Sequence, residues 1–252
     1  MQITLPNPPK IKEQSENRAV FEIEGLYPGY GVTIGNALRR VLYSSIPGAA
    51  ITQVKIKGAP HEFSTLPGVL EDLLEITLNL KQIYVKLHGD ETQTASIKVK
   101  GAKKITAADI ECPSQVEIAN KSAHIATLTS KDAKFEAEFT IEPGLGYVPV
   151  EKRQKGSADI GSIPLDAIYT PMRKVNFESE NMRVGDRTDY NRLRIEVVTN
   201  GTTSPQEAME YAANLLANHF TMAGSFVKKA EKVKAAEKSP KKPRKKLKKS
   251  KK

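Results

Sequence analysis

Residues 29–48, GYGVTIGNALRRVLYSSIPG, constrain the fold more than any other stretch, because they read as one short amphipathic helix held between chain breakers. Ile34, Ala37, Leu38, Val41 and Leu42 fall at i, i+3, i+4, i+7 and i+8. That is one stripe of a helix with about 3.6 residues per turn, and such a stripe must be buried. Thr33 is the expected N-cap, its hydroxyl accepting from a first-turn N–H, which puts the helix at residues 34–46. Pro47 cannot continue it, and Gly48 tolerates a left-handed exit. Arg39 and Arg40 lie off the stripe, about 100° apart around the helix, and face solvent or a partner.

The remaining segments read as a mixed fold with a large antiparallel β component. Residues 1–18 are polar and proline-rich, an extended arm, and a strand follows at residues 19–24. Thr52, Val54 and Ile56 face one way and Gln53, Lys55 and Lys57 the other, the alternation of a half-buried strand. A second helix is expected from Val69, Leu70, Leu73, Leu74 and Thr77, with Pro67 near its start and Glu71 and Asp72 in its first turns, where helix polarity favours acids. Alternation resumes at residues 83–87, 95–99, 124–128, 135–141, 173–177 and 193–197. A long helix then opens on a capping box, with Ser204 as N-cap, Pro205 first and Glu207 third. Its apolar positions are Ala208, Ala212, Leu215, Leu216, His219, Ala223, Phe226 and Val227. The fold class is α+β. The two apolar helices could pack together within one subunit or across a twofold axis, and the spacing alone leaves both open, leaning to the first.

Chemistry is easier to exclude than to find. The spacing of Gly29 and Gly31 after a strand does not fit a dinucleotide fingerprint, since the next glycine is Gly35, four residues on, and no acid ends the following strand to hold a ribose. His61, His88, His124, His219 and Cys112 show no metal-ligand spacing, and no nucleophile with a base partner can be assembled. One cysteine excludes an internal disulfide framework. No apolar run approaches the roughly 20 residues of a membrane span. With no secretory pattern at the amino terminus, the expectation is a soluble, cytoplasmic protein without membrane contact. Of the 252 residues 39% are hydrophobic, enough for a core. The net charge of +10 suggests nucleic acid until it is divided along the chain. Residues 228–252 hold 14 of the 39 basic and 2 of the 29 acidic residues, which leaves 25 basic and 27 acidic in the body. The basicity belongs to the tail.

Five blocks carry a family resemblance. TIGNALRRVLYSSIPG at residues 33–48, HEFSTLPGVLEDLLEITLNLK at 61–81, ITAADI at 105–110, GLGYVPVEKR at 144–153 and the run at 186–201 stand in the order found in the amino-terminal domain of the bacterial RNA polymerase alpha subunit. The chain resembles that family over about residues 1–228. The resemblance implies a homodimeric scaffold that receives the beta and then the beta-prime subunit, with no catalytic residue, metal or cofactor of its own, the active-site magnesium lying in the large subunits. It implies a discontinuous dimerisation domain at residues 1–48 and 170–230, with an inserted β-rich domain at 49–169. Carried over by position, the dimer interface falls on Ile34, Leu38, Val41, Leu42, Ala212, Leu215, Leu216 and Phe220. The beta interface falls on Arg39, Arg40, His61, Glu62, Phe63, Gly146 and Tyr147 in the 146–149 loop. The beta-prime interface falls on Tyr43, where the family more often has leucine, and on Arg187 and Asp189. The chain departs from full-length family members in ending, at residues 231–252, in a lysine-rich tail, expected to be disordered after Pro240 and Pro243 and to touch DNA phosphates without reading bases. A rival reading keeps the tail and discards the scaffold: a free-standing basic nucleic-acid-binding protein.

Overall fold

Two antiparallel sheets organise the chain, and in each the alternation of side chains selects the face that is buried. The computed structural model describes residues 3–153 and 161–237. From the amino terminus come β1 (Lys10–Gln14), β2 (Arg18–Leu26), α1 (Tyr30–Ser45), β3 (Pro47–Ile56), α2 (Leu73–Leu80), β4 (Val85–Leu87), β5 (Gln93–Lys100) and β6 (Lys104–Thr106). Then follow β7 (Val116–Ile118), β8 (His124–Thr127), β9 (Lys134–Leu145), β10 (Tyr147–Val148), α3 (Val150–Arg153), β11 (Ser162–Pro164) and β12 (Ala167–Ile168). The last elements are β13 (Met172–Val184), β14 (Arg187–Thr199) and α4 (Pro205–Glu237).

The first sheet has the order β1-β2-β14-β13, so strands from both ends of the chain lie side by side. Ala19, Phe21, Val175, Leu193, Ile195 and Val197 are buried, and α1 packs on β13 and β14. Contrary to the expected extended arm, residues 10–14 are a strand, because β2 offers a free edge and Lys10 and Lys12 meet the carboxylates of Glu24 and Glu22 across it.

The helix lies differently from the spacing argument. Its buried line is Gly31, Gly35, Leu38 and Leu42, while Ile34, Ala37 and Val41 form a half-buried flank. A Cβ on Gly35 would stand 2.5 Å from the Phe177 ring and 2.9 Å from Leu193, so glycine is what lets the helix backbone approach the sheet. The helix starts at Tyr30, and its N-cap is Gly29, in the left-handed region at φ 85°. Thr33 is inside the first turn, its hydroxyl donating to the Gly29 carbonyl at 3.2 Å. The capping acceptor comes from β14 instead: Asn191 Oδ1 receives the N–H of Gly29 at 2.8 Å and of Gly31 at 3.3 Å. Gly48 does not take the expected left-handed exit. It is glycine because a Cβ there would run into the Tyr169 carbonyl.

The second sheet runs β5-β9-β3-β4-β7, with β11 beside β3. Ile97, Phe135, Phe139, Ile141 and Val54 pack in one core with Leu73, Ile76 and Leu80 of α2. The helix is shorter than expected and turned on its axis. Asp72 is its N-cap, accepting from Glu75 N–H at 2.7 Å, and Leu70, Leu74 and Leu78 are exposed. Leucines lie on both sides of this helix, so periodicity alone could not choose the buried one. Gly68, at φ 77°, and the bridge between Val69 and Leu128 hold the preceding residues outside it.

Of the described residues, those up to Ala212 form one unit and those from Ala213 another, the division falling inside α4. The capping box is present: Ser204 Oγ accepts from Glu207 N–H at 3.2 Å, and the Glu207 carboxylate accepts from Ser204 N–H at 3.1 Å. The helix reaches Glu237, and the tail after it lies outside the described residues.

Candidate assembly surfaces

On α1, the positions assigned to a dimer interface divide into two groups. Leu38 and Leu42 are 5% and 0% exposed within the single chain and serve its own core. Ile34 and Val41 are half-buried on the flank. On α4, Ala212 is buried, Leu215 and Leu216 are half-buried and Phe220 is exposed.

Arg39 and Arg40 both project from the exposed side of α1, with different surroundings. The Arg39 guanidinium lies 5.4 Å from the Phe177 ring centroid and donates to Asn36 Oδ1 at 2.9 Å, so its position is set from within. Arg40 has no hydrogen-bond or ion-pair partner among the described residues, which leaves its five donors for another molecule. Gly146 sits against the end of the same helix: a Cβ on it would be 3.7 Å from the Ser44 carbonyl. Its own carbonyl accepts from Tyr169 N–H at 2.8 Å and Thr170 N–H at 3.2 Å, a double anchor that fixes the turn and leaves Tyr147 exposed. His61, Glu62 and Phe63 are exposed in the loop between β3 and α2, with Phe63 at 75%. Around residues 61–64 backbone bonds run from Ser64 N–H to the His61 carbonyl and from Leu73 N–H to the Ser64 carbonyl. Among the described residues no hydrogen bond or ion pair ties the 61–63 residues to Arg40 or Gly146.

The third group is partly occupied inside the chain. Tyr43 Oη accepts from Val175 N–H at 2.8 Å, next to the register shift between Met172 and Lys174. Arg187 grips Asp189 with two bonds, at 3.0 and 2.6 Å, and its guanidinium lies 5.6 Å from the Tyr27 ring and 5.4 Å from the Tyr190 ring. The pair keeps the Asp189 carboxyl below and the Arg187 guanidinium above their ordinary values. The β13–β14 turn is thus an exposed, charged corner held by its own ion pair.

Two clusters have no counterpart in the sequence reading. On the outer face of the first sheet, Arg194 joins Glu22 at 3.0 Å and Glu180 at 3.1 Å, Arg192 joins Glu24 at 3.0 Å, and Arg18 and Lys174 share Glu196 at 2.8 and 2.9 Å. Burial pushes the Glu22 carboxyl up, but Lys12 and Arg194 outweigh it and hold it below its ordinary value. The signal was present as alternating Glu22, Glu24 and Arg192, Arg194, Glu196, but only the register aligns opposite charges. In the second sheet's domain Glu71, 8% exposed, accepts from His124 Nε2 at 2.8 Å, Thr127 N–H at 2.6 Å and Thr127 Oγ1 at 2.9 Å. Each cluster closes on itself, as a structural element does. Among the described residues no group of three or more His, Cys, Asp or Glu could hold a metal ion, and no helix is long and apolar enough to cross a membrane.

Comparison with known proteins adds two findings. The family model described as the RNA polymerase Rpb3/RpoA insert domain matches residues 54–170. The DNA-directed RNA polymerase subunit alpha of Symbiobacterium thermophilum is 45% identical over 217 residues, covering 86% of this chain and 69% of that protein. The subunit of the same name from Carboxydothermus hydrogenoformans is 47% identical over 231 residues, covering 91% and 72%. That from Geobacter metallireducens is 45% identical over 237 residues, covering 92% and 69%.

Proposed function

The chain belongs to the family of bacterial DNA-directed RNA polymerase alpha subunits, and from that premise we propose that it works as a non-catalytic scaffold: two copies pair, then receive the beta and beta-prime subunits. The dimerisation domain comprises residues 1–48 and 170–230, and the inserted domain 49–169. The scaffold acts in the cytoplasm and uses no cofactor or metal of its own. The observation that carries the reading is the contrast along one helix. Gly31, Gly35, Leu38 and Leu42 lock α1 onto the sheet, and the opposite side presents Arg40 without a partner among the described residues, with the Gly146 turn against the helix end. A charged, planar donor held on a rigid helix is the kind of group that dominates a protein interface. Arg40, Gly146 and Tyr147, with the exposed His61, Glu62 and Phe63, then meet beta, and Arg39 supports them from its place over Phe177. Tyr43 and the Arg187–Asp189 corner meet beta-prime. The rival reading, a free-standing basic nucleic-acid-binding protein, finds no support in the comparisons.

Arg40→Ala is the test. The substitution removes an exposed side chain with no described partner, so the fold should keep its thermal midpoint, while affinity for the beta subunit should fall by about 2 kcal/mol or more in a titration. Unchanged affinity in a folded variant would refute the assignment.

A further inference from the structure

The body of the chain has almost balanced charge, but the fold does not spread it evenly. On the outer face of the second sheet Lys98 and Lys100 of β5, Lys134 of β9 and Lys55 of β3 point outward, with Lys57 directly after β3, while their neighbours Ile97, Phe135, Ala137, Val54 and Ile56 point into the core. Against these five lysines stand Glu136, Glu138 and Glu142 at outward positions of β9 and Glu111 beside Ser96 at the edge. Lys57 takes Glu136 at 2.9 Å, and the register sets Glu138 opposite Lys55. Lys57, with Lys98 and Lys100 farther off, holds the Glu136 carboxyl below its ordinary value. Lys100 and Lys134 are direct cross-strand partners, and neither has an ion pair among the described residues. Like charges placed opposite one another across two strands are unfavourable unless an external anion lies over them.

We propose that the outer face of β5, β9 and β3 is a contact surface for the phosphate backbone of duplex DNA. Lys98 and Lys100, two residues apart on one strand, are separated by about 6.6 Å along it, close to the separation of successive phosphates on a DNA strand. Lys134 widens that row onto the next strand. Among the described residues β5, β9 and β3 carry no exposed aromatic side chain on which an unpaired base could stack, which favours duplex over single strands. Among the described residues β5, β9 and β3 present no protruding helix or ribbon to enter a groove, so contact is with phosphates alone and independent of base sequence. The surface lies apart from Arg40, Gly146 and Tyr147, and the inference does not depend on the subunit reading.

The experiment is a titration of two unrelated fluorescent duplexes with the full chain at several salt concentrations. It compares wild type with Lys98→Ala/Lys100→Ala/Lys134→Ala and with a control of equal charge change, Lys121→Ala/Lys152→Ala/Arg183→Ala, at exposed sites outside the strands of this sheet. Each lost phosphate contact removes about 0.9 from the log–log salt slope, so the first variant should bind with a slope shallower by about 2 to 3 and the control by less than 1. The two duplexes should bind within twofold of each other. Equal slopes for wild type and the first variant would leave the lysine tail as the whole DNA contact and overturn the proposal. An equal change in the control would reduce it to net charge, and a marked preference between duplexes would contradict a phosphate-only surface. Retention of the wild type on polyglutamate with no difference in duplex slope would identify an acidic polypeptide as the occupant and would equally overturn it.

Discussion

Gly35 shows how a residue with no side chain can be the tightest point of a fold. Phe177 and Leu193 fill the space that a Cβ would need, so Gly35→Ala must push the helix off the sheet or force the ring from its rotamer. The expected cost is about 1–3 kcal/mol, read as a lower urea midpoint with unchanged slope. Hydrophobic periodicity treats glycine as a spacer, which is why the sequence centred the buried stripe on Ile34, Leu38 and Val41 and missed Gly31 and Gly35. Glu71 is the second residue whose role depends on distant partners. Burial pushes its carboxyl up, and the bonds from His124 and Thr127 outweigh that and keep it below its ordinary value. A depressed folded-state value means that the stabilisation is complete above the ordinary glutamate range and is lost as pH falls through the folded value. Glu71→Gln should therefore cost about 1–3 kcal/mol at neutral pH, since His124 and Thr127 lose a charged acceptor, and should flatten the acid limb of stability against pH. An acid limb unchanged from wild type would show that Glu71 does not carry that dependence.

Among the elements, a local cap makes the start of α4 legible, while α1 has a remote cap and α2 a local one that its neighbour obscures. The capping box of α4 was readable because Ser204 and Glu207 are three residues apart. The cap of α1 comes from Asn191, and nothing near residue 30 announces it. The α2 start was misplaced because Glu71 and Asp72 look alike in sequence: Asp72 caps the helix, while Glu71 turns toward β8. Asp72→Ala should thus cost about 1 kcal/mol, within the range for lost N-caps, and a variant as stable as wild type in urea would refute its capping role. The longer strands with one wet face were read well, since alternation is then unbroken, whereas β6, β7, β10, β11 and β12, of two or three residues, are too short to show it. The pairing of β1 was not legible, because its residues are exposed throughout and the ion pairs to Glu22 and Glu24 appear only once the register is known.

At the scale of the molecule, family membership was legible from five ordered blocks, and the chain's surface was not, because charge counted along a sequence cannot show that Lys98, Lys100 and Lys134 share one face. The α1 geometry also changes how pairing is best probed. Leu38 belongs to the protomer's own core, and a charge placed there would unfold the chain and report nothing about association. Ile34 and Val41, on the half-buried flank, are the positions for charge substitutions. The direct measurement of the scaffold account is the mass of the full chain in solution, by light scattering coupled to size exclusion at micromolar concentration. The account predicts twice 27.7 kDa for the wild type and a folded species of 27.7 kDa for Ile34→Asp/Val41→Asp. A wild-type chain that stays at 27.7 kDa across that range would contradict it.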